Sequence, residues 1–346
     1  MDMKLISKKK KLFPISEPLL DYLNLYTRSR DLPVRYADLL RYKEAIPLVD
    51  KNEKDTLWAT CMYNHYDEED IHKGLTKIYS QLKAAGDVAI TDHLYVERVD
   101  FCTFGNSNPF RVRIVNQYND NYDHFYVKKA DASRIYGLEL EDILSPNRIN
   151  YLVCDNTLIE EHIAGIPGDL FLEEILDRPS TNKVRIAKEF VKFNERCFAR
   201  LLGDMRSYNY VIDITPDFED EQYRVRAIDF DQQSYEGKIQ AYFPHFFPDN
   251  KKVVDLCGKM LNPQTIRQYQ LEERTLIARR LNYAKTQVVM LTEAMRFGEL
   301  SLPEKTQELK LGLRKFHKDD RFSKCANMGD LVVLNLEITL AYKLGV

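Results

Sequence analysis

The sequence predicts an α+β chain in which an antiparallel sheet is followed by a mainly helical region, behind an N-terminal α/β extension. Three observations carry this. Apolar segments alternate over Leu94 to Cys102, Arg111 to Gln117 and His124 to Lys129, with turn-forming Gly, Asn and Asp between them, which is the pattern of an antiparallel meander. The stretch His162-Ile163-Ala164-Gly165-Ile166-Pro167-Gly168 then interrupts the strand pattern, as Gly and Pro do where architecture changes. Beyond it the apolar spacing is helical except for one hairpin between Tyr210 and Ile228. The expected divisions are 1–92 for the extension or small domain, 93–164 for a sheet-bearing lobe and 165–346 for a helical lobe.

In the extension, Ser16 is a candidate N-cap with Pro18 tolerated in the first turn of a helix carrying Leu19, Leu20, Tyr22 and Leu23. A second short run covers Tyr36 to Tyr42. Leu57 to Met62 reads as a strand, with the single Trp58 as a core anchor. Glu68 to Ala85 reads as an amphipathic helix, with Ile71, Leu75, Ile78, Tyr79 and Leu82 on one face and Gly86 as its stop. No catalytic constellation lies in this region.

Within the meander, the turn Thr103 to Pro109 contains Gly105. Such a turn either offers backbone N–H groups to nucleotide phosphates or simply closes a hairpin. The third strand ends in Lys128-Lys129, and alternation lets only one of the two point inward. An inward lysine pairs with phosphate oxygens, with a glutamate of the next helix fixing it; an outward one is a surface residue. That helix is capped by Asp131 or Ser133, carries Glu139 and Glu141, and stops at Ser145-Pro146. Two short strands follow, Asn150 to Cys154 and Thr157 to Glu161. After the Gly165–Gly168 linker come a short helix, Asp169 to Leu176, and a long one, Asn182 to Leu201, whose buried face holds Ile186, Phe190, Phe193 and Phe198. The segment Pro263 to Phe297 reads as one further long helix.

Composition narrows the function classes. The 50 Lys and Arg against 53 Asp and Glu give a formal charge of -3, which offers no global attraction to nucleic acid or an anionic membrane. The cysteines at 61, 102, 154, 197, 257 and 325 are widely scattered without a C-x-x-C pair, so buried reduced thiols are expected rather than zinc or a disulfide framework. The basic run Lys8 to Lys11 reads as a solvated tail and lacks the apolar stretch of a signal peptide. With no apolar stretch long enough for a membrane span, a cytoplasmic location is expected.

One group of residues calls for chemistry rather than packing. Asp204 and Asn209 share a loop between the long helix and the hairpin, rigidly flanked as a positioned base and a metal ligand need to be. The hairpin returns to Asp229-Phe230-Asp231, whose two carboxylates share one side by the strand period while Phe230 turns into the core. Such carboxylates can hold one or two divalent ions. The pattern fits phosphoryl transfer, in which a base meets the acceptor hydroxyl and separate oxygen ligands hold Mg²⁺ on the nucleotide phosphates.

These segments resemble the protein-kinase-like superfamily, closest to its aminoglycoside phosphotransferase and choline kinase branch. Phe125-Tyr126-Val127-Lys128 looks like the phosphate-binding lysine strand, Ile159 to Gly165 like the hinge, Gly203-Asp204 with Asn209 like the catalytic loop, and Ile228 to Asp231 like the metal-binding segment. The resemblance implies a two-lobed fold that uses ATP and Mg²⁺. It implies Asp204 as base or acceptor orienter and Asn209 and Asp229, with Asp231 beside them, as metal ligands. It also implies Lys128 on the α/β-phosphates with Glu139 or Glu141 behind it, and backbone groups of Glu161, His162 and Ile163 against adenine. The chain departs from the branch at Leu202, where the branch has His, so another residue such as Arg206 must brace the loop. It departs too in having only Gly105 in the glycine turn, and in an acidic hairpin tip, Asp217 to Glu221. The expected activity is transfer of the γ-phosphate to a hydroxyl of a small molecule or protein. The alternative is a kinase-like binding module acting through a protein partner.

Overall fold

The computed structural model describes residues 10–50, 53–84, 92–102, 107–218 and 221–344. The turn glycine Gly105, the helix stop Gly86, Lys8 and Lys9 of the basic run, and Glu219 and Asp220 of the acidic tip lie outside the described residues. The chain divides into two compact units, one made of Met1–Ile15, Leu20–Asp131 and Ile149–His162, the other of Ser16–Leu19, Ala132–Arg148 and Ile163–Val346. The architecture is mixed α+β, with antiparallel sheets and helices.

In chain order the first unit contains most of helix α1 (Glu17–Leu25), then α2 (Tyr36–Leu39), β1 (Glu44–Val49), β2 (Asp55–Met62), α3 (His65–Ala84), β3 (Leu94–Cys102), β4 (Phe110–Asn116), β5 (Tyr122–Lys129), β6 (Tyr151–Cys154) and β7 (Thr157–Glu161). The strands form one seven-stranded antiparallel sheet in the order β1-β2-β3-β4-β5-β7-β6. β1, Glu44-Ala45-Ile46-Pro47-Leu48-Val49, carries a proline, Pro47. It is tolerated at the sheet edge, where its missing N–H interrupts no ladder.

One face of this sheet is apolar. Val99, Phe110, Val112, Phe125, Val127 and Ile159 are buried in one cluster with Ile71, Leu75, Ile78 and Leu82 of α3. Residues 20–92 therefore share a sheet and a core with the strands after them, and no boundary at 92/93 separates the two units. The opposite face is polar and aromatic. Thr60, Asp100, Arg111, Tyr126 and Glu160 stand directly opposite one another on successive strands, so all share that face. Trp58 lies there too, with the Arg111 guanidinium 4.5 Å above its ring and Tyr126 6.3 Å away, so it is a stacking platform for a cation rather than an anchor of the apolar core. Asp100 is fully buried and accepts from Thr60, Arg98 and Arg111.

The second unit holds α4 (Ala132–Leu144), β8 (Ile166–Pro167), α5 (Gly168–Leu170) running into a π-turn at Phe171–Ile175, α6 (Lys183–Ala199), β9 (Tyr210–Pro216), β10 (Glu221–Ala227), α7 (Lys251–Met260), α8 (Pro263–Tyr283), α9 (Lys285–Phe297), α10 (Pro303–His317) and α11 (Met328–Leu340). β8, β9 and β10 form a three-stranded antiparallel sheet with β9 at its centre. α6 starts where Asn182 accepts the Arg185 N–H, and α8 where Asn262 accepts that of Thr265. The helix expected over Pro263 to Phe297 is two, because Ala284 leaves helical geometry at φ -104°, ψ 25°. Gly165 is required by its φ of +152° and because a Cβ there would come within 2.7 Å of Val211.

All six cysteines are buried thiols that take part in no disulfide. Among the described residues no helix is long and apolar enough to cross a membrane. Lys10 is not part of a solvated tail: it is buried, and its Nζ donates to Asp131 at 2.8 Å. Asp131 also accepts the Phe13 N–H, so it anchors the N-terminal segment as well as preceding α4.

Candidate functional site

The loop between α6 and β9 is built to hold Asp204 in place. Leu201 ends the helix at φ +54°, and Asp204 itself stands at φ +58°. For a buried leucine that conformation costs energy, and it persists only where surrounding contacts over-determine it. Those contacts are present. The Asp204 N–H donates to the Ala241 carbonyl at 3.0 Å and the Gly203 N–H to that of Gln232 at 3.2 Å. The Asn209 amide donates to the Asp204 carbonyl at 2.7 Å. From behind, Asn250 donates to the Met205 carbonyl at 2.9 Å and accepts from the Tyr210 hydroxyl at 2.8 Å. Phe243 stacks on the buried Phe198 at 4.3 Å.

Arg206 supplies the brace that Leu202 cannot. Its Nε donates to Asp204 Oδ1 at 3.0 Å and its Nη1 to Asp249 Oδ2 at 3.1 Å, with the guanidinium 5.2 Å from the Phe247 ring centre. Leu202 is fully buried and is bridged to Gln233. The Asp204 carboxyl keeps about a third of its surface exposed, at 34%. Burial pushes its pKa up to about 6; Arg206 opposes the rise, and Asp229 and Glu236 add to it.

Asp229 and Asp231 follow the end of β10 rather than lying within it. They share a side because Asp229 Oδ1 accepts the Asp231 N–H at 3.1 Å in a tight turn, while Phe230 between them is fully buried. Both carboxylates meet a residue the sequence reading passed over. Arg134, in the first turn of α4, is 2% exposed along its side chain, and its Nη1 donates to Oδ1 of Asp229 and to Oδ1 of Asp231, each at 2.7 Å. Ser133 beside it donates to the Gln233 carbonyl at 2.7 Å, fixing the helix end on the same turn. The oxygens of this pair suit a hard cation in type, but a guanidinium already bridges them. Among the described residues no three His, Cys, Asp or Glu side chains are grouped to hold one ion. Mg²⁺ at Asp229 and Asp231 would have to compete with the Arg134 guanidinium.

Both glutamates of α4 are buried. Glu141 is buried against Arg200 and accepts from Ser145 at 2.6 Å and Asn147 at 2.7 Å. Burial works against its charge, yet Arg200 and these donors hold its pKa below the ordinary value. Glu139 is fully buried and accepts from Gln287 at 3.3 Å.

In the first unit, alternation is resolved in favour of Lys128. It is 8% exposed on the polar sheet face, and its Nζ donates to Glu160 Oε2 at 2.8 Å, whereas Lys129 is exposed, 5.5 Å from the Tyr36 ring centre. A carboxylate on the neighbouring strand is thus one ion-pair partner of Lys128. At the expected hinge, the N–H of Glu161 donates to Asn150 O at 3.1 Å and that of His162 to His124 O at 3.3 Å. Neither N–H is aimed at a base. His162 contacts the Tyr126 hydroxyl at 3.2 Å, and its pKa is lowered, chiefly by burial. Ile163 is buried at 9% exposure.

No protein-family model matches this chain, and no curated protein sequence matches it.

Proposed function

We propose that the chain is a phosphotransferase of protein-kinase-like fold, moving the γ-phosphate of ATP to a hydroxyl of a small molecule or protein. The sheet-bearing unit stands for the N-lobe and the helical unit for the C-lobe. The observation that carries the reading is Asp204. It is a partly exposed carboxylate on a strained, heavily bonded loop, held by Arg206, with a pKa of about 6. At pH 7 such a group is mostly ionised yet basic enough to take a hydroxyl proton in the transition state. In the step proposed, the acceptor oxygen forms a bond to the γ-phosphorus, the bond from phosphorus to the bridging oxygen breaks, ADP leaves with the electron pair, and the hydroxyl proton passes to Asp204. Lys128 is the candidate phosphate-binding group of the first unit. Asp229 and Asp231 are candidates for Mg²⁺ only if Arg134 releases them.

The test is Asp204→Asn. It should leave ATP-dependent thermal stabilisation intact and lower turnover by roughly 10²-fold or more. Unchanged turnover would remove Asp204 from the role, and no thermal shift by ATP in the unaltered chain would remove nucleotide from the reading.

A second reading is favoured by two specific observations. Arg134 bridges the carboxylate pair, and the Glu161 and His162 N–H groups are already bonded. Both suit a kinase-like binding module that acts through a protein partner. ATP binding with no transfer to any acceptor and no hydrolysis, together with a stable co-purifying protein, would decide for it.

A further inference from the structure

The ion pairs around Asp204 leave one of its two carboxylate oxygens without a donor. Arg206 donates from Nε to Oδ1 at 3.0 Å, and among the described residues no hydrogen bond reaches Oδ2. An arginine beside a carboxylate commonly forks it, with two parallel N–H···O bonds, one to each oxygen. Here the guanidinium is divided between two carboxylates instead: while Nε serves Asp204, Nη1 donates to Asp249 Oδ2 at 3.1 Å.

Asp249 is well placed to direct that guanidinium, because the chain around it is fixed. It lies in the single turn Pro248–Asn250. The neighbouring Asn250 is fully buried, donates to the Met205 carbonyl at 2.9 Å and the Pro244 carbonyl at 2.7 Å, and accepts from the Tyr210 hydroxyl at 2.8 Å. The turn is thereby tied to the residue directly before Arg206. Phe247, which leads into the turn, has its ring centre 5.2 Å from the guanidinium. The side chains of Asp204, Arg206 and Asp249 are all about a third or more exposed, so each ion pair alone contributes little. Two carboxylates and a ring converging on one planar group nevertheless set its direction.

We propose that Asp249 is a positioning residue for phosphoryl transfer: it holds one end of the Arg206 guanidinium, so that only Nε meets Asp204 and Oδ2 stays open to the acceptor hydroxyl. The inference rests on the reading of Asp204 as the base. In that step the hydroxyl proton passes to Oδ2 as the acceptor oxygen bonds to the γ-phosphorus and ADP leaves with the electron pair, while Oδ1 stays on Arg206. A guanidinium released by Asp249 would fork both oxygens and occupy the one that takes the proton. Asp249 itself touches neither nucleotide nor acceptor in this scheme and acts through Arg206.

Steady-state ATP hydrolysis in the presence of Mg²⁺, with water as the hydroxyl acceptor, tests this on the full chain. Asp249→Ala should lower kcat by about tenfold to a hundredfold, the loss expected when a reacting group is displaced, and leave KM for ATP where it was. Asp249→Asn keeps an oxygen that can accept from Nη1 and should lose less. Because Asp249 acts through Arg206, adding Asp249→Ala to Arg206→Ala should cost nothing further. An equal loss in both backgrounds would overturn the proposal, as would an unchanged kcat in Asp249→Ala. A crystal structure of Asp249→Ala gives a readout that needs no activity: Arg206 should donate to both oxygens of Asp204, and a guanidinium that stays on Oδ1 alone would overturn the proposal too. No ATP hydrolysis by the unaltered chain would sink the phosphotransferase reading, and that crystal structure then decides by itself whether Asp249 holds Arg206 off the second oxygen.

Discussion

Asp204 shows how one residue can set stability and activity against each other. Its folded-state pKa is raised to about 6, so the fold favours the neutral acid. A group of this kind contributes stability that is fully present below its unfolded pKa, ~3.9, and is lost as pH rises through about 6. Asp204→Asn should therefore stabilise the chain at pH 8 by on the order of 1 kcal/mol, after allowing for the third of the carboxyl that solvent reaches and for the half-exposed pair with Arg206. The gain should vanish near pH 4. Activity should run the other way, with kcat/KM level above pH ~6 and falling about tenfold per pH unit below it. Denaturant melts of both proteins across this pH range, with rates on the unaltered chain, check both halves. A rate that stays level to pH 4 would show that Asp204 carries no essential proton. Asp204 was legible because a carboxylate and a carboxamide five positions apart between a helix and a strand form a pattern. Glu160 as the partner of Lys128 was not, because cross-strand neighbours have no fixed spacing in sequence.

At the scale of the element, α4 matters most. It was legible as a helix, with Glu139 and Glu141 as its notable charges; both are buried, Glu141 accepting from Asn147 and Glu139 from Gln287. The residue that reaches the Asp229–Asp231 turn is Arg134, which sequence gives no reason to single out, since an arginine in a first helical turn is unremarkable. Removing one partner of a buried ion pair costs ~3–5 kcal/mol, and the lower end applies here because the Asp229 side chain is 35% exposed. Arg134→Gln should thus lower stability by about 3 kcal/mol and take away the guanidinium that bridges the two carboxylates. Millimolar Mg²⁺ should then raise the melting temperature of the variant and leave the unaltered chain, with or without chelator, where it was. An equal response in both proteins would show that Arg134 does not compete with a metal for this turn.

For the whole molecule, the decisive feature is that the expected N-terminal extension is not separable. Ile71, Leu75, Ile78 and Leu82 of α3 cover the apolar face of β3, β4, β5 and β7, and β2 pairs with β3. Burial of four such side chains stabilises by roughly 6–12 kcal/mol, comparable with the whole stability of a domain, about 5–15 kcal/mol. A fragment starting at residue 93 should therefore fail to fold. Its circular dichroism and the sharpness of its thermal transition are the measurements, and a cooperative transition in that fragment would mean that residues 93–346 need no such cover.

The sequence by itself determined the order and type of most elements: the meander, the helix into Asp204, the hairpin behind it and the short strands after α4. Those follow from local periodicity, turn chemistry and caps, which act over a few residues and are written into adjacent positions. What only the tertiary structure decided was partnership. It joined β1 and β2 to the sheet, drew Lys10 into a buried pair with Asp131, set Lys128 against Glu160, broke the long C-terminal helix at Ala284 and placed Arg134 between two carboxylates. Partnership depends on which buried charge meets which across a hundred or so residues of chain, and a buried charge is stable only where the opposite charge or a donor reaches it. No local pattern encodes that meeting.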